Sequence, residues 1–408
     1  MDLLNIIFSI FILSLPLGEI ARFDFGNGIA LRLNEILLAI VVVLWLLTQF
    51  KKRKKNFFLG KPILIFTAIA LFSLLINIRN LSILSFFVSF SYLVRWGLYA
   101  SLYFVASSLD IKHKKKSLIL MLISGVIFVF IGFVQYFLYP SLRNLYYLGW
   151  DEHLYRMFSS FLDPNFAGVL FVLILLIIIG LILHFKKLKD PKYLLFIFLG
   201  VITLGAVYLT YSRSALLALF SGVLSLLILE KKTRWILLLV FISILVFAVF
   251  SRNFNIENLN LLRTASVKAR LDSYSKAILI IKENPVFGVG FNSYRFAQER
   301  YGFNLNYQYP SHAESGTDNS FLFVLATTGI FGLIAYLYLW IKALKGLYLK
   351  NKEKNNFQNL ISKITFASLI AVFIGSFFIN ALFYPFIMEW IFILLGLSLV
   401  KMDFKENK

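Results

Sequence analysis

Runs of about twenty apolar residues, broken by short charged stretches, recur from one end of this 408-residue chain to the other. That repetition constrains the fold more than any other feature. A bilayer core about 30 Å thick takes roughly 20 apolar residues per helical span. Inside it every backbone N–H and C=O must be bonded within the protein, so such runs are helices rather than open sheet. About twelve spans are expected, at 3–18, 31–49, 61–78, 83–108, 117–138, 165–184, 194–211, 214–229, 235–250, 319–341, 360–383 and 386–400. The chain is 60% hydrophobic and only 15% charged, with a mean hydropathy of +0.81. The expectation is an all-α polytopic transmembrane bundle, one integral membrane domain over 1–408. The first run lacks a basic leading segment and a small-residue cleavage pattern, so it reads as a retained span.

A net charge of +21 looks like a nucleic-acid signal until it is mapped. "KKRKK" at 51–55 follows the second span. If that end is cytoplasmic, alternation places 24 lysines and arginines inside. The short outside connections hold five, Arg22, Arg79, Arg143, Arg156 and Arg213. This is the positive-inside asymmetry, so nucleic acid is not the expected partner and both termini are expected in the cytoplasm. Two outside connections are long, 139–164 and 251–318. The second exceeds what a compact bundle needs, and loops of that length are usually functional. With no cysteine in the chain, thiolate catalysis, disulfides and thiolate metal sites are excluded.

Within the long loop, "SVKARLDSYSKAILIIKEN" reads as a short amphipathic helix. Ser266 is its expected cap and Asn284-Pro285 its end. Val267, Leu271, Tyr274, Ile278 and Ile281 form one apolar stripe, which suits a helix lying in the headgroup region. Arg270 falls about 50° from the stripe's centre at 100° per residue. "FGVGFNSYRF" follows, with Arg295. Its Gly-x-Gly has no strand before it, so it reads as a turn and not as a dinucleotide fingerprint.

Polar residues at span ends are the candidates for chemistry. Arg213, beside Ser212, stands on the hairpin between two apolar runs. A guanidinium there either snorkels to the headgroups or grips phosphate, whose oxygens its planar fork matches. Arg270 and Arg295 on the same outer face favour phosphate. Asp318 and Asn319 stand where the long loop meets the tenth span, with His312 just before. A carboxylate or imidazole at this boundary is a candidate general base, and Asp318 is equally a candidate helix cap. Arg156 accompanies Asp163-Pro164-Asn165, where Pro164 marks a helix start and Asp163 a cap. Arg95 and Glu389 lie inside spans. They are functional suspects, or else packing locks in which Arg95 pairs with a carbonyl or an acid. No His-x-x-x-His or acidic cluster suggests a metal, and no cofactor is expected.

Four stretches together resemble the O-antigen ligase family, which includes related O-antigen and exopolysaccharide polymerases. They are "LSLPLGEIARFDFGNGIALRLNEIL" near the start, "YSRSALLAL" at 211–219, "RLDSYSKAILIIKENPVFGVGFNSYRF" at 270–296 and "TDNSFLFVLATTGIFGL" at 317–333. The resemblance implies a metal-independent, inverting glycosyltransferase on the extracytoplasmic side of the inner membrane. Its donor would be a glycan on undecaprenyl diphosphate, its acceptor a hydroxyl of a glycan or lipid. The family's diphosphate-holding arginines match Arg213 and Arg270. A His-Asn pair opens the family's late-loop motif in ligases; here the position reads Asp318-Asn319, which shifts the expectation from ligase toward polymerase. The rival reading is a flippase for the same lipid-linked sugar. That would call for midplane polar sites, broken helices and internal repeats.

Overall fold

The computed structural model describes residues 2–26, 30–49, 57–231, 264–303, 315–351 and 356–399. Thirteen helices and one hairpin occur among the described residues. The helices are α1 (Asp2–Ser14), α2 (Leu33–Gln49), α3 (Gly60–Ile76), α4 (Ile83–Ser108), α5 (Ile111–Leu138), α6 (Pro164–Lys187) and α7 (Lys192–Leu209). They continue as α8 (Arg213–Leu229), α9 (Ala265–Glu283), α10 (Tyr294–Arg300), α11 (Ser320–Lys350), α12 (Asn356–Gly375) and α13 (Pro385–Ser398). Eight of the helical segments have the length and apolarity to cross a membrane. The apolar helices α2, α8 and α13 are shorter. The molecule is an all-α polytopic bundle. The expected ninth span, 235–250, and His312 lie outside the described residues.

Three local expectations are corrected. A small antiparallel ribbon, β1 (Arg22–Asp24) against β2 (Ala30–Arg32), interrupts the helices, with Arg22 opposite Arg32. The eleventh span was expected to run to 383, yet α12 ends at Gly375. The start of α11 takes up the carbonyls just beyond: Ser320 N donates to Ser376 O at 2.9 Å and Asn319 Nδ2 to Phe377 O at 3.2 Å. The tenth span is broken within α11 at Gly329, whose φ of +66° is left-handed.

That break is filled by backbone. Val289 N donates to Ala326 O and Gly290 N to Thr327 O, while Ile330 N donates to Pro285 O. From α3, the Ser73 hydroxyl bonds Phe287 O and Thr327 O, and Asn77 Nδ2 bonds Gly288 O. Gly288 must be glycine on two counts. Its φ is +65°, and a Cβ would lie 2.5 Å from Thr327 C. The Gly-x-Gly is thus a turn, as expected, but one that straps a broken helix to its neighbour.

The core centres on α6 and α13, which are buried around nearly their whole circumference. A helix apolar on every side belongs inside a bundle. On the outer helices many large apolar side chains are exposed, among them Ile83, Phe130 and Phe137, as a lipid-facing surface requires.

Buried charges tie the first helices to the last. Arg32 Nη2 meets Glu19 Oε1 at 2.7 Å and Arg32 Nη1 meets Glu35 Oε1 at 3.2 Å. Glu35 also accepts from Tyr99 and lies 3.5 Å from Arg95 Nε. Arg95 donates to Ala30 O as well, so it finds both the carbonyl and the acid that a packing lock needs. Asn34 Nδ2 donates to both oxygens of Glu389, at 2.7 and 2.8 Å. In lipid an unpaired charge is costly, so each of these groups holds the others in place.

Candidate functional site

The site is built where the N-terminal ends of α6, α8 and α11 meet α9. Each of the three helices starts on a polar cap whose side chain accepts from the free backbone N–H groups of the first turn. Asp163 Oδ1 accepts from Asn165 N at 2.6 Å and Phe166 N at 3.3 Å. Ser212 Oγ accepts from Ala215 N. Asn319 Oδ1 accepts from Phe321 N at 2.8 Å and Leu322 N at 3.0 Å. Asp163 is the cap it was expected to be, with Pro164 at the first helical position. Asp318 is not: the cap of α11 is Asn319, which leaves the Asp318 carboxyl for other work.

Side chains lace these ends together. Asn165 Oδ1 accepts from Ser212 Oγ at 3.0 Å and from Arg156 Nη2 at 3.2 Å. Arg156 Nε donates to Thr210 O at 2.8 Å, and Met157 N to Leu209 O at 2.9 Å. Arg156 is therefore a buried strut that holds the 156–165 segment to the α7–α8 hairpin. Gly168 lets α6 and α8 touch, since a Cβ there would lie 2.7 Å from that of Ala215. Strained backbone gathers nearby: His153, Tyr155, Ser159, Leu162 and Tyr211 all have left-handed φ without being glycine. Such strain persists only where the surroundings over-determine it, and it concentrates at functional sites.

Arg213 is the first residue of α8, and its Nη2 donates to the Ser266 hydroxyl of α9 at 2.6 Å. Its Nε is buried without a hydrogen-bond partner. Ser266 was expected to cap α9; instead Thr264 precedes the helix and the Ser266 hydroxyl receives Arg213. Arg270 lies one helical turn beyond Ser266, and the two guanidiniums are close enough to feel each other's charge. Among the described residues neither Arg213 nor Arg270 forms an ion pair, whereas Arg22, Arg32 and Arg95 are all paired to carboxylates. Two like charges held near each other, neither in an ion pair, make a place suited to an anion.

Opposite them is Asp318. Its backbone N–H is held by Ser273 Oγ at 3.2 Å, and its carbonyl accepts from Tyr274 OH at 3.4 Å. Tyr274 also donates to Phe377 O, which joins α9 to the end of α12. Burial pushes the Asp318 carboxyl up to about 6; Arg270 pulls it down, and Asp163 and Asp151 push it up again. Arg270, Asp163 and Asp318 therefore share one electrostatic neighbourhood. Asp163 Oδ2 lies 3.9 Å from His153 Nε2, and the phenol of Tyr294 is raised by burial and then by Asp272 and Asp318. Sequence reasoning passed over Ser273 and gave three others different parts: Ser266 a cap, Tyr274 a place in the apolar stripe, Asn165 a place at a helix start. Their joint use shows only when the fold brings them together.

The docked face of α9 differs from the expected stripe. Ala277 and Ile280 are fully buried against α11, while Val267, Leu271 and Ile278 are exposed. The expected stripe is thus divided: Tyr274 and Ile281 turn toward the docked side, and Val267, Leu271 and Ile278 are left uncovered. Arg295 on α10 stands apart. Its guanidinium lies over the Phe296 ring, 5.8 Å from the centroid.

Residues 198–337 match the family model described as O-antigen ligase, a range that contains Ser212, Arg213, Arg270, Asp318 and Asn319. No curated protein matches the chain. Over those residues, with an apolar helical bundle around them, the chain is similar to the O-antigen ligase family.

Proposed function

We propose that this protein is an extracytoplasmic glycosyltransferase of the inner membrane. It takes glycan from an undecaprenyl-diphosphate donor and passes it to a glycan acceptor, as a polymerase rather than a ligase. The whole chain acts as one membrane domain, with both termini in the cytoplasm and 251–318 outside. The observation that carries the reading is the unpaired guanidinium couple, Arg213 and Arg270, facing the buried carboxyl of Asp318. When the sugar–phosphate bond breaks, negative charge grows on the diphosphate. Preplaced guanidiniums and the N-terminal end of α8 stabilise that charge, a contribution of several kcal/mol. The acceptor hydroxyl loses its proton as it attacks. A carboxylate with its pKa near 6 is suited to take it. Ser212, Asn165 and Arg156 fix the hairpin that carries Arg213, and Asn319 fixes the turn that carries Asp318.

The flippase reading gains a broken helix in α11, which the sequence did not suggest. The break is closed by bonded backbone from residues 285–290, however, and offers substrate no free carbonyls.

The test is turnover in liposomes with a defined lipid-linked repeat unit, followed by mass analysis. Wild type should lengthen the glycan on the lipid. Arg213→Ala should lose about 10²–10³-fold in kcat, as removal of a preplaced charge-stabilising donor does. Undiminished turnover by that variant would refute the assignment.

A further inference from the structure

A second concavity lies on the far side of α10 from Asp318. It has a volume of about 380 Å³ and is lined by Asn80, Leu81, Ser82, Ser85, Phe296, Glu299 and Arg300. This volume falls in the range of small-molecule sites. The two faces of α10 are sharply divided. Tyr294, Ala297 and Gln298 are buried toward α9 and α11. Phe296, Glu299 and Arg300 turn to the other side and form one wall. The turn between α3 and α4 and the first residues of α4 form the other wall. Arg300 Nη1 donates to Asn80 O at 3.1 Å, which joins the two walls, and within the second wall the Ser82 and Ser85 hydroxyls are 2.8 Å apart.

We infer that this cavity is a glycan subsite that holds a sugar residue of the substrate beyond the one that reacts. The inference rests on the glycan-transfer reading and deepens it. A sugar ring has apolar C–H faces and a rim of hydroxyls that both donate and accept. The wall supplies one aromatic face, an amide, two hydroxyls, a carboxylate and a guanidinium, which matches both surfaces. A phosphate is disfavoured because Glu299 balances Arg300, leaving no net positive charge. An acyl chain is disfavoured because so much of the lining is polar. The opposite, buried face of α10 carries Tyr294, which packs with Ala277 and Ile280 of α9 and Phe323 and Ala326 of α11.

The experiment compares Phe296→Ala and Glu299→Gln with wild type in two measurements. Glu299 is exposed, so its conservative replacement keeps the fold even if loss of the ring does not. The first measurement is saturation-transfer NMR with soluble oligosaccharides released by mild hydrolysis of the host's own envelope polysaccharide. The second is KM for undecaprenyl-diphosphate donors that carry one sugar or three. Loss of a charge-assisted hydrogen bond should weaken oligosaccharide binding about tenfold. It should raise the three-sugar to one-sugar KM ratio by a similar factor. Unchanged oligosaccharide binding and an unchanged ratio in both variants would overturn the subsite. Arg213→Ala separates the two ideas: it should lower turnover about 10²–10³-fold yet retain oligosaccharide binding. Intact turnover in Arg213→Ala, with oligosaccharide binding still lost in Glu299→Gln, would overturn the reaction and leave the subsite standing.

Discussion

Burial raises the Asp318 carboxyl from 3.8 to about 6, and the consequences for activity and stability have opposite signs. As a general base it works deprotonated, so kcat/KM should rise with pH through about 6 and then level off. Asp318→Asn should remove that limb and cost about 10²–10⁴-fold in rate. For stability, the folded state holds the proton more tightly than the unfolded one. The favourable contribution is complete below pH about 4 and is lost as pH rises through about 6. Asp318→Asn should therefore be more stable than wild type at pH 8, by roughly 1–3 kcal/mol, with the difference gone at pH 4. A pH–rate profile and thermal unfolding in detergent check the two halves. At this scale the sequence was legible wherever a charge stood at a span boundary, as with Arg213 and Asp318. It was not legible for Ser266. A hydroxyl at a helix start has a local use as a cap, and only the approach of α8 reveals that Arg213 claims it instead.

Among the elements, α11 carries the tightest constraint. A Cβ on Gly329 would lie 2.1 Å from Val286 O, on backbone with φ of +66°. Gly329→Ala should force the 285–290 strap off the break and expose the carbonyls of Ala326 and Thr327. A loss of about 2–4 kcal/mol is expected, from overpacking and unmade hydrogen bonds together, read as a lowered unfolding temperature in detergent. Because the strap leads into α10, donor turnover should fall in the protein that remains folded. The sequence signalled the membrane helices through their apolar runs but not this interruption. Glycine is common in membrane helices, so a single Gly329 gave no reason to split a long run. The early end of α12 was hidden for a related reason: hydropathy continues past Gly375, and hydrogen bonds to α11 set the stop.

Taken whole, the bundle is locked by charges far apart in sequence. Arg32 neutralises both Glu19 and Glu35, so Arg32→Met would leave Glu19 only the longer 3.6 Å contact with Arg22, and Glu35 only Arg95 and Tyr99. Such a change should cost about 3–5 kcal/mol, measured as loss of the folded monodisperse peak on size exclusion. Arg95 and Glu389 were legible as suspects because they interrupt apolar runs. Glu19, Arg32, Asn34 and Glu35 were not, because Glu19 falls in a connection and the other three stand at the polar start of the second span, where charged residues are ordinary. The proposed orientation has a clean test, since the chain has no cysteine to mask a label. Arg143→Cys and Lys187→Cys place single thiols at exposed positions in consecutive connections. A membrane-impermeant maleimide applied to intact spheroplasts should label the first and reach the second only after lysis. The reverse pattern would put the guanidinium couple in the cytoplasm and remove its substrate.

The divided surface of α9 has a consequence for how the enzyme works in its native setting. One flank grips α11 and presents Arg270, with Ser266 steadying Arg213, while Val267, Leu271 and Ile278 are left uncovered beside it. On the proposed orientation those three residues rest in the outer leaflet. The same short helix is then both a float on the lipid and a jaw of the phosphate clamp. Leaflet thickness and fluidity would tune the grip on substrate, and the surrounding lipid becomes a working part of catalysis.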